Sequence, residues 1–306
     1  MKVCSFLPAA THMIYEMGLE KYLHGVTFEC ASDKPKIVRS HLEGNSYSSA
    51  EIDKIVSESA NIGRSLYYVD TELLEEIEPD LVFTQDVCTV CQISTSVVQK
   101  AIGSLEKQPK IVPLQPSRLS DVYQNALAIA TELGEEKAGL DHLALIQKRV
   151  RIITDKLREH EAVPRRVMIV EWLDPIYNCG HWTPDQIALA GGVDMLANPA
   201  GDSIVIPWDK VRKYDPEVLV IAPCGFTVER SLQEIDRLTS RPGWSELTAV
   251  KNEEVYVADS NYFTRPSTTL VDGIELLASL FHPHLFQVPE KSKNKVVPLT
   301  NKLISV

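Results

Sequence analysis

Two cysteines separated by two residues, Cys88 and Cys91, follow an apolar run that is typical of a buried strand. Thiolates at this spacing can contribute to a zinc or iron–sulfur site. They can also form a thiol–disulfide pair, or be small buried residues of a loop. The sequence has no second Cys-x-x-Cys pair, so a complete metal site needs ligands from elsewhere in the chain. The candidates are Cys179, His181 and Cys224.

A histidine and an arginine lie in loops that are rich in aromatic residues. His181 is part of a Cys-Gly-His-Trp sequence, where its imidazole can donate a hydrogen bond to a ligand or coordinate a transition metal. Arg265 precedes a proline, so we expect extended backbone there, and its guanidinium can bind a carboxylate or a phosphate. Glu29 and Glu171 are expected at strand ends. Each carboxylate can accept hydrogen bonds from ligand amides or form a buried pair with Arg39 or Arg265.

Strands that alternate with helices must position these side chains. This alternation predicts an α/β protein with mostly parallel sheets, and ligands of such sheets bind beyond the carboxyl ends of the strands. The apolar runs that predict strands are residues 2–7, 24–28, 65–69, 79–85, 166–171, 216–222 and 254–258. The side chains that we therefore expect against a ligand are Thr11, Glu29, Tyr67, Gln85, Asp86, Glu171, Trp172, His181, Trp182, Phe226, Tyr262, Phe263 and Arg265.

A helical stretch divides the chain into two α/β halves. Apolar residues spaced by three and four, interrupted at Gly134, predict a short helix followed by a long one over about 135–160. We therefore predict an N-terminal lobe over 1–117, a connecting helical segment over 118–161 and a C-terminal lobe over 162–306. The chain from Lys291 onward is polar and predicts a loose tail.

A short internal similarity supports two related lobes. Residues 78–88 and residues 215–224 share an acidic residue, a proline, a buried strand and a cysteine just past the strand end. Each lobe is thus expected to be Rossmann-like, with the long helix joining the two.

The bulk composition restricts the classes of partner. The chain has 306 residues, of which 44% are hydrophobic and 24% charged, and its net charge is −11. This acidity argues against nucleic acid or anionic membrane surfaces as main partners. The sequence contains no GxGxxG, GxxxxGK or GxSxG motif, which removes the usual nucleotide-binding and α/β-hydrolase hypotheses.

The first residues bear on the expected location. They lack the apolar core and small-residue cleavage site of a signal peptide, and no window is apolar enough to cross a membrane. We therefore expect a cytoplasmic protein without membrane insertion, and an extracytoplasmic one only if the start is mis-assigned.

Several segments, in order along the chain, resemble class III substrate-binding proteins of ABC importers, which take up cobalamin, haem and ferric siderophores. The opening strand and helix resemble a "VSLxPxxTE" pattern, and later segments resemble "PDLV", "DPDVI" and "RPGWxxLxAVxxGRVY". Four loops are similar to a cobalamin-binding-like subgroup that lacks a signal peptide: "TQDxCxVC", "EWLDPxxxxGHW", "PCGF" and "YFxRP". They lie at residues 84–91, 171–182, 223–226 and 262–266.

The resemblance implies a non-catalytic protein of two lobes that binds a corrinoid, cobalamin or a similar ligand, in the cleft between them, linked to corrinoid uptake or salvage. Its partners would be this small-molecule ligand and an ABC importer permease. We expect Trp172, Trp182, Phe226, Tyr262 and Phe263 against the faces of the ring, the polar side chains at its rim, and His181 near the cobalt. The cysteines leave an alternative open: a metal-dependent enzyme with zinc or iron on Cys88, Cys91, His181 and Cys224. Glu29 or Glu171 would then act as a general base beside metal-bound water.

Overall fold

The structure is a computed structural model that describes residues 1–85 and 95–300. The chain forms two compact units. Unit 1 consists of Met1–Tyr47, Glu51–Pro116 and Ser120–Ala144, and unit 2 consists of Ser48–Ala50, Ser117–Leu119 and Leu145–Val306. No helix in the described ranges is long and apolar enough to cross a membrane.

The first part of the chain forms a six-stranded sheet and its helices. The elements are β1 (Val3–Ser5), α1 (Pro8–Glu16), β2 (Leu23–Thr27), β3 (Lys36–Ser40), α2 (Ser49–Asn61), β4 (Tyr67–Val69), α3 (Thr71–Ile77), β5 (Leu81–Gln85), α4 (Thr95–Gly103), β6 (Lys110–Leu114), α5 (Leu119–Glu132) and α6 (Glu136–Glu159). The strand order is β4-β3-β2-β1-β5-β6, and every pair is parallel except β3 with β4.

The second part of the chain forms a five-stranded sheet, a two-stranded sheet and further helices. The elements are β7 (Arg165–Val170), β8 (Gly180–His181), α7 (Thr183–Leu189), β9 (Gly192–Val193), β10 (Asn198–Pro199), α8 (Trp208–Tyr214), β11 (Val218–Ile221), α9 (Val228–Leu232), α10 (Asp236–Thr239), α11 (Thr248–Lys251), β12 (Val255–Ala258), α12 (Leu270–Phe281) and β13 (Val296–Pro298). The order of the large sheet is β13-β12-β11-β7-β9, and β13 alone among its strands runs antiparallel to its neighbour. The predicted α/β class with mostly parallel sheets is confirmed.

The predicted interruption at Gly134 separates two helices. Gly134 has φ +72°, a left-handed conformation that glycine adopts without strain, and it ends α5. The N–H of Glu135 then donates to the carbonyl oxygen of Ala130 at 2.8 Å. The long helix predicted over about 135–160 is α6, Glu136–Glu159.

The internal similarity corresponds to the same local structure in both units. Glu78 and Asp215 each follow a helix in a left-handed conformation, with φ 49° in both cases. Two residues after each of these positions, an acidic side chain accepts a hydrogen bond from a backbone N–H at the start of the neighbouring strand. Asp80 accepts from Lys2 at 2.6 Å, and Glu217 accepts from Arg166 at 2.9 Å. The repeated sequence therefore corresponds to the same local structure just before β5 and just before β11.

The end of the chain differs from the prediction of a loose polar tail. Residues Val296–Pro298 form β13, which pairs with β12, and Leu299 is buried. Lys295 also pairs with Asp259 at 2.9 Å. The tail is polar on average, but three consecutive apolar or β-branched residues are enough for an edge strand, and the prediction was wrong because it averaged over them.

Candidate ligand-binding site

The carboxyl edge of the large sheet in unit 2 brings three predicted loops together. Because β7, β11 and β12 are parallel, the loops after them leave the sheet at the same edge. Backbone hydrogen bonds connect these loops directly: Cys224 N–H donates to Glu171 O at 2.9 Å, and Ser260 N–H donates to Phe226 O at 3.2 Å. The sequence patterns at 171–182, 223–226 and 262–266 thus belong to one surface of unit 2.

Glu171 connects several parts of this surface through its carboxylate. Thr183 Oγ1 donates to Oε1 at 3.0 Å, and Ser203 Oγ donates to Oε2 at 2.5 Å. Burial is the largest influence on its pKa and raises it to about 7, while these hydrogen bonds and the N–H of Gly180 act in the opposite direction. A carboxyl group that titrates near neutral pH is well suited to respond to a ligand.

An acidic residue, Asp194, and a buried thiol, Cys179, lie close to Glu171, and no sequence motif had pointed to the acidic residue. Cys179 Sγ donates to Asp194 Oδ2 at 3.6 Å; Cys179 is fully buried and Asp194 is partly buried. Burial raises the pKa of Asp194 to about 6 and the pKa of the Cys179 thiol well above its usual value. Cys179 is therefore a protonated thiol at neutral pH. Asp194 follows two glycines in a segment without any motif, which is why sequence reasoning missed it.

His181, the last residue of β8, has a left-handed backbone conformation in a closely packed segment. Its φ is +50°, and its N–H donates to Gly201 O at 2.7 Å. A Cβ on Gly180 would lie 2.5 Å from Gly201 O, so the two segments approach closely only because residue 180 is glycine. Burial lowers the pKa of His181, although Asp202, whose carboxylate is 3.6 Å from Nε2, acts in the opposite direction. The imidazole is therefore mostly uncharged at neutral pH and able to donate or accept.

Three of the five aromatic side chains that were expected against a ligand are buried instead. Trp182 is 5% exposed, Phe226 6% and Phe263 0%. The Trp182 indole donates to Phe263 O at 2.6 Å and its ring stacks on His181. These rings support the loops from inside, and their contact with a ligand stays a prediction. Trp172 and Tyr262 are partly exposed.

Trp172 and Phe226 form a small cluster with a buried ion pair. Their ring centroids are 5.2 Å apart, and the guanidinium of Arg230 lies 4.6 Å from the centre of the Phe226 ring. Arg230 also pairs with Glu234, which accepts from the N–H of Ser49 at 2.8 Å. The indole of Trp172 donates to Ser49 O at 3.2 Å. Both rings are therefore held in fixed orientations.

A side chain of α7 holds the loop that contains Arg265 on both sides of the arginine. Gln186 Nε2 donates to the carbonyl oxygens of Tyr262 and Leu270, at 2.8 Å each. The guanidinium of Arg265 makes no hydrogen bond or ion pair within the described residues, although the side chain is partly buried. The predicted pairing of Arg265 with Glu171 is thus not seen. An arginine held on a fixed loop without a protein partner is available to an anionic group.

Gly273 of α12 packs closely against the backbone of this loop. A Cβ at this position would overlap Tyr262 O and lie 2.6 Å from Gln186 Nε2. Because the first of these atoms is backbone, we expect Gly273→Ala to destabilise unit 2 by about 1–3 kcal/mol. Thermal unfolding followed by differential scanning calorimetry, which detects both units, measures this loss. Gly103→Ala in α4, where a Cβ meets nothing within 4 Å, is the control; an equally stable Gly273→Ala variant would contradict the packing argument.

The candidates in unit 1 fall into a buried pair and a more exposed pair. Thr11 is 3% exposed and donates to Leu7 O at 3.4 Å, and Gln85 is 4% exposed at the end of β5. Tyr67 is partly exposed and packs against Phe28, with ring centroids 6.4 Å apart, while Glu29 is exposed. Arg39 forms a two-point pair with Glu43, at 2.9 and 3.0 Å.

The metal hypothesis depends on residues that the structure does not cover. Asp86, Cys88 and Cys91 lie outside the described residues. In the described part of the chain, no group of three or more histidine, cysteine, aspartate or glutamate side chains is arranged to hold a metal ion. Cys224 and His181 therefore supply no site by themselves, and zinc or iron binding stays a prediction.

Comparisons with known proteins support the family resemblance. The sequence matches the family described as "Periplasmic binding protein" over residues 64–262. It is 25% identical over 291 residues to the uncharacterized ABC transporter substrate-binding lipoprotein YvrC of Bacillus subtilis (strain 168), covering 94% of this chain and 81% of the relative.

Solved structures with low sequence identity share the fold. The periplasmic heme-binding protein RhuT from Roseiflexus sp. RS-1 has a TM-score of 0.67 at 17% identity, covering 92% of this chain and 98% of that one. The periplasmic vitamin B12 binding protein BtuF of Vibrio cholerae has a TM-score of 0.63 at 18% identity, covering 94% and 98%. These similarities confirm the class III binding-protein fold.

Proposed function

The chain belongs to the periplasmic binding protein family, and we propose that its ligand is a corrinoid of the cobalamin type, which it binds without chemical change. Membership in this family makes the protein a ligand-binding protein of the periplasmic-binding-protein type. The choice of a corrinoid is our inference from the side chains at the carboxyl edge of unit 2, together with the vitamin B12 binding of the structural relative from Vibrio cholerae.

The unpaired Arg265 is the observation that carries this proposal. Cobalamin has a large ring with peripheral amides and a single anionic phosphodiester. In unit 2 the partly buried Arg265, whose guanidinium has no partner in the described ranges, lies on the loop that follows β12, and Glu171 follows β7 on the same edge. The guanidinium suits the phosphodiester, and the carboxylate suits an amide N–H. Trp172 and Tyr262 supply partly exposed aromatic surface for the ring.

Titration with cyanocobalamin tests the proposal. All four tryptophans of the sequence, Trp172, Trp182, Trp208 and Trp244, are in unit 2, so their fluorescence reports binding there. We expect saturable quenching with a Kd well below about 100 μM. Haem and a ferric hydroxamate are titrated in parallel. Saturation by either of these, with none by cyanocobalamin, would replace the corrinoid by that ligand.

Location and partner form a separate part of the proposal. We propose a cytoplasmic protein, in keeping with the buried, unpaired thiols of Cys4 and Cys179. A role in corrinoid salvage would follow from that location, whereas uptake with an ABC permease as partner requires an extracytoplasmic protein. Fractionation of cells that carry a C-terminal tag on the native gene distinguishes them: recovery outside the cytoplasm would overturn the proposed location and favour the permease.

A further inference from the structure

The hydroxyl group of Thr183 lies between two acceptors that belong to different loops. Its Oγ1 is 3.0 Å from Glu171 Oε1 and 3.3 Å from the carbonyl oxygen of Phe263. Thr183 is buried, so water cannot substitute for either partner. A hydroxyl group has one proton and donates to one acceptor at a time. The two acceptors therefore compete for the same proton.

One acceptor is Glu171 itself, and the other lies on the loop that carries Arg265. In the proposed function, Glu171 and Arg265 both contact the ligand. Glu171 ends β7 and accepts ligand amides in that proposal, and Phe263 is two residues before Arg265. Phe263 O also accepts from the Trp182 indole at 2.6 Å, and Gln186 holds the neighbouring Tyr262 O. The position of the Arg265 loop thus depends on three donors from α7 and its N-terminal flank. Gln186 also has two acceptors, but its amide carries two protons, whereas Thr183 has a single proton for its two acceptors.

We propose that Thr183 is a positioning residue that couples Glu171 to the loop that carries Arg265, because its hydroxyl group can turn its single hydrogen bond from the Glu171 carboxylate to the carbonyl oxygen of Phe263. Without ligand, Thr183 donates mainly to Glu171, the nearer acceptor, at 3.0 Å compared with 3.3 Å for Phe263 O. A ligand N–H that donates to Glu171 weakens this carboxylate as an acceptor for Thr183. The hydroxyl then donates to Phe263 O and fixes the loop that carries Arg265.

The charged and titratable groups near Glu171 do not provide another route. Asp194 and Cys179 interact with Glu171 electrostatically, but neither donates to its carboxylate. Ser203 donates to Oε2, and its segment, 201–205, is distinct from the Arg265 loop. Thr183 is therefore the side chain that connects Glu171 to the loop after β12.

A spectroscopic experiment without ligand tests the positioning role. In protein labelled with 15N-tryptophan, the indole resonance of Trp182 reports how Phe263 O is shared. In the ligand-free protein the Thr183 hydroxyl donates to Phe263 O for a minor fraction of the time, so we expect Thr183→Val to shift this resonance by a small but resolvable amount, and Thr183→Ser to restore it. The Trp208 indole, which donates to Pro242 O at 2.8 Å, is an internal control that should not move. Thr239→Val in α10 is the matched control variant. An unshifted Trp182 resonance in Thr183→Val, or a serine variant that behaves like the valine variant, would overturn the proposal.

A second measurement tests the coupling and rests on the proposed function. Arg265→Gln is combined with Thr183→Val, and cyanocobalamin affinity is measured for the four members of the cycle. We expect Thr183→Val to weaken binding about 5- to 10-fold and to reduce the effect of Arg265→Gln. Additive effects would overturn the coupling. If the unmodified protein binds no cyanocobalamin, the proposed function fails, while the Trp182 resonance still decides whether Thr183 positions the loop.

Discussion

Arg265→Gln is expected to weaken the binding of cyanocobalamin by about 10- to 100-fold, because a hydrogen bond to a charged group contributes about 1.5–3 kcal/mol. The guanidinium has no protein partner in the described part of the chain, so its removal leaves no unpaired acidic group behind. The loss of affinity therefore reports the contact with the ligand itself. Isothermal titration calorimetry measures it. Arg265→Lys should recover only part of the affinity, because an ammonium group lacks the two-point geometry of guanidinium.

Two controls separate this contact from long-range charge. Arg158→Gln, on the exposed side of α6, makes the same change to a net charge of −11 and should leave the affinity unchanged. Dicyanocobinamide lacks the nucleotide loop of cobalamin and its phosphodiester. Arg265→Gln should therefore affect the binding of dicyanocobinamide much less. Equal losses for both ligands would show that Arg265 does not bind the phosphodiester.

Sequence periodicity predicted the fold well because it depends on local and repetitive features. The strand ends and the break at Gly134 follow from apolar runs and from one residue with unusual backbone freedom. The strand β13 was missed because a three-residue edge strand gives a weak signal within a polar segment. Such a strand depends both on its few apolar residues and on pairing with its neighbour, β12.

The sequence predicted which loops of unit 2 lie together but not how deeply each of their side chains is buried. The rule for parallel strands correctly grouped Glu171, Cys224 and the 262–266 loop at one edge of unit 2. It could not tell which aromatic rings face outward, because burial depends on packing between loops. Phe263 is enclosed although it follows a strand in the same way as the partly exposed Tyr262. Asp194 was missed because only the folded chain brings it to Cys179.

Glu171→Gln is expected to remove a pH-dependent loss of stability from unit 2. The pKa of Glu171 is raised to about 7 from a model-compound value of 4.5, mainly by burial. The folded state therefore binds more protons than the unfolded state between these values, and stability falls as pH rises through this window. At 1.36 kcal/mol per pKa unit, ionisation of Glu171 should cost roughly 2–3 kcal/mol between pH 5 and pH 8. The glutamine variant has no charge to bury and should be more stable than the unmodified protein at the upper end.

Urea unfolding followed by tryptophan fluorescence measures this difference in unit 2 alone, because no tryptophan lies in unit 1. Asp194, whose pKa is raised to about 6 by burial, has the same sign, so a smaller slope should persist in Glu171→Gln below neutral pH. Glu217→Gln makes the same chemical change at the opposite end of the sheet, where Glu217 accepts from Arg166 N–H, and should leave the slope intact. A slope that is the same in Glu171→Gln and in the unmodified protein would mean that the Glu171 carboxylate is hydrated, and the enclosed arrangement with Thr183 and Ser203 would then be wrong.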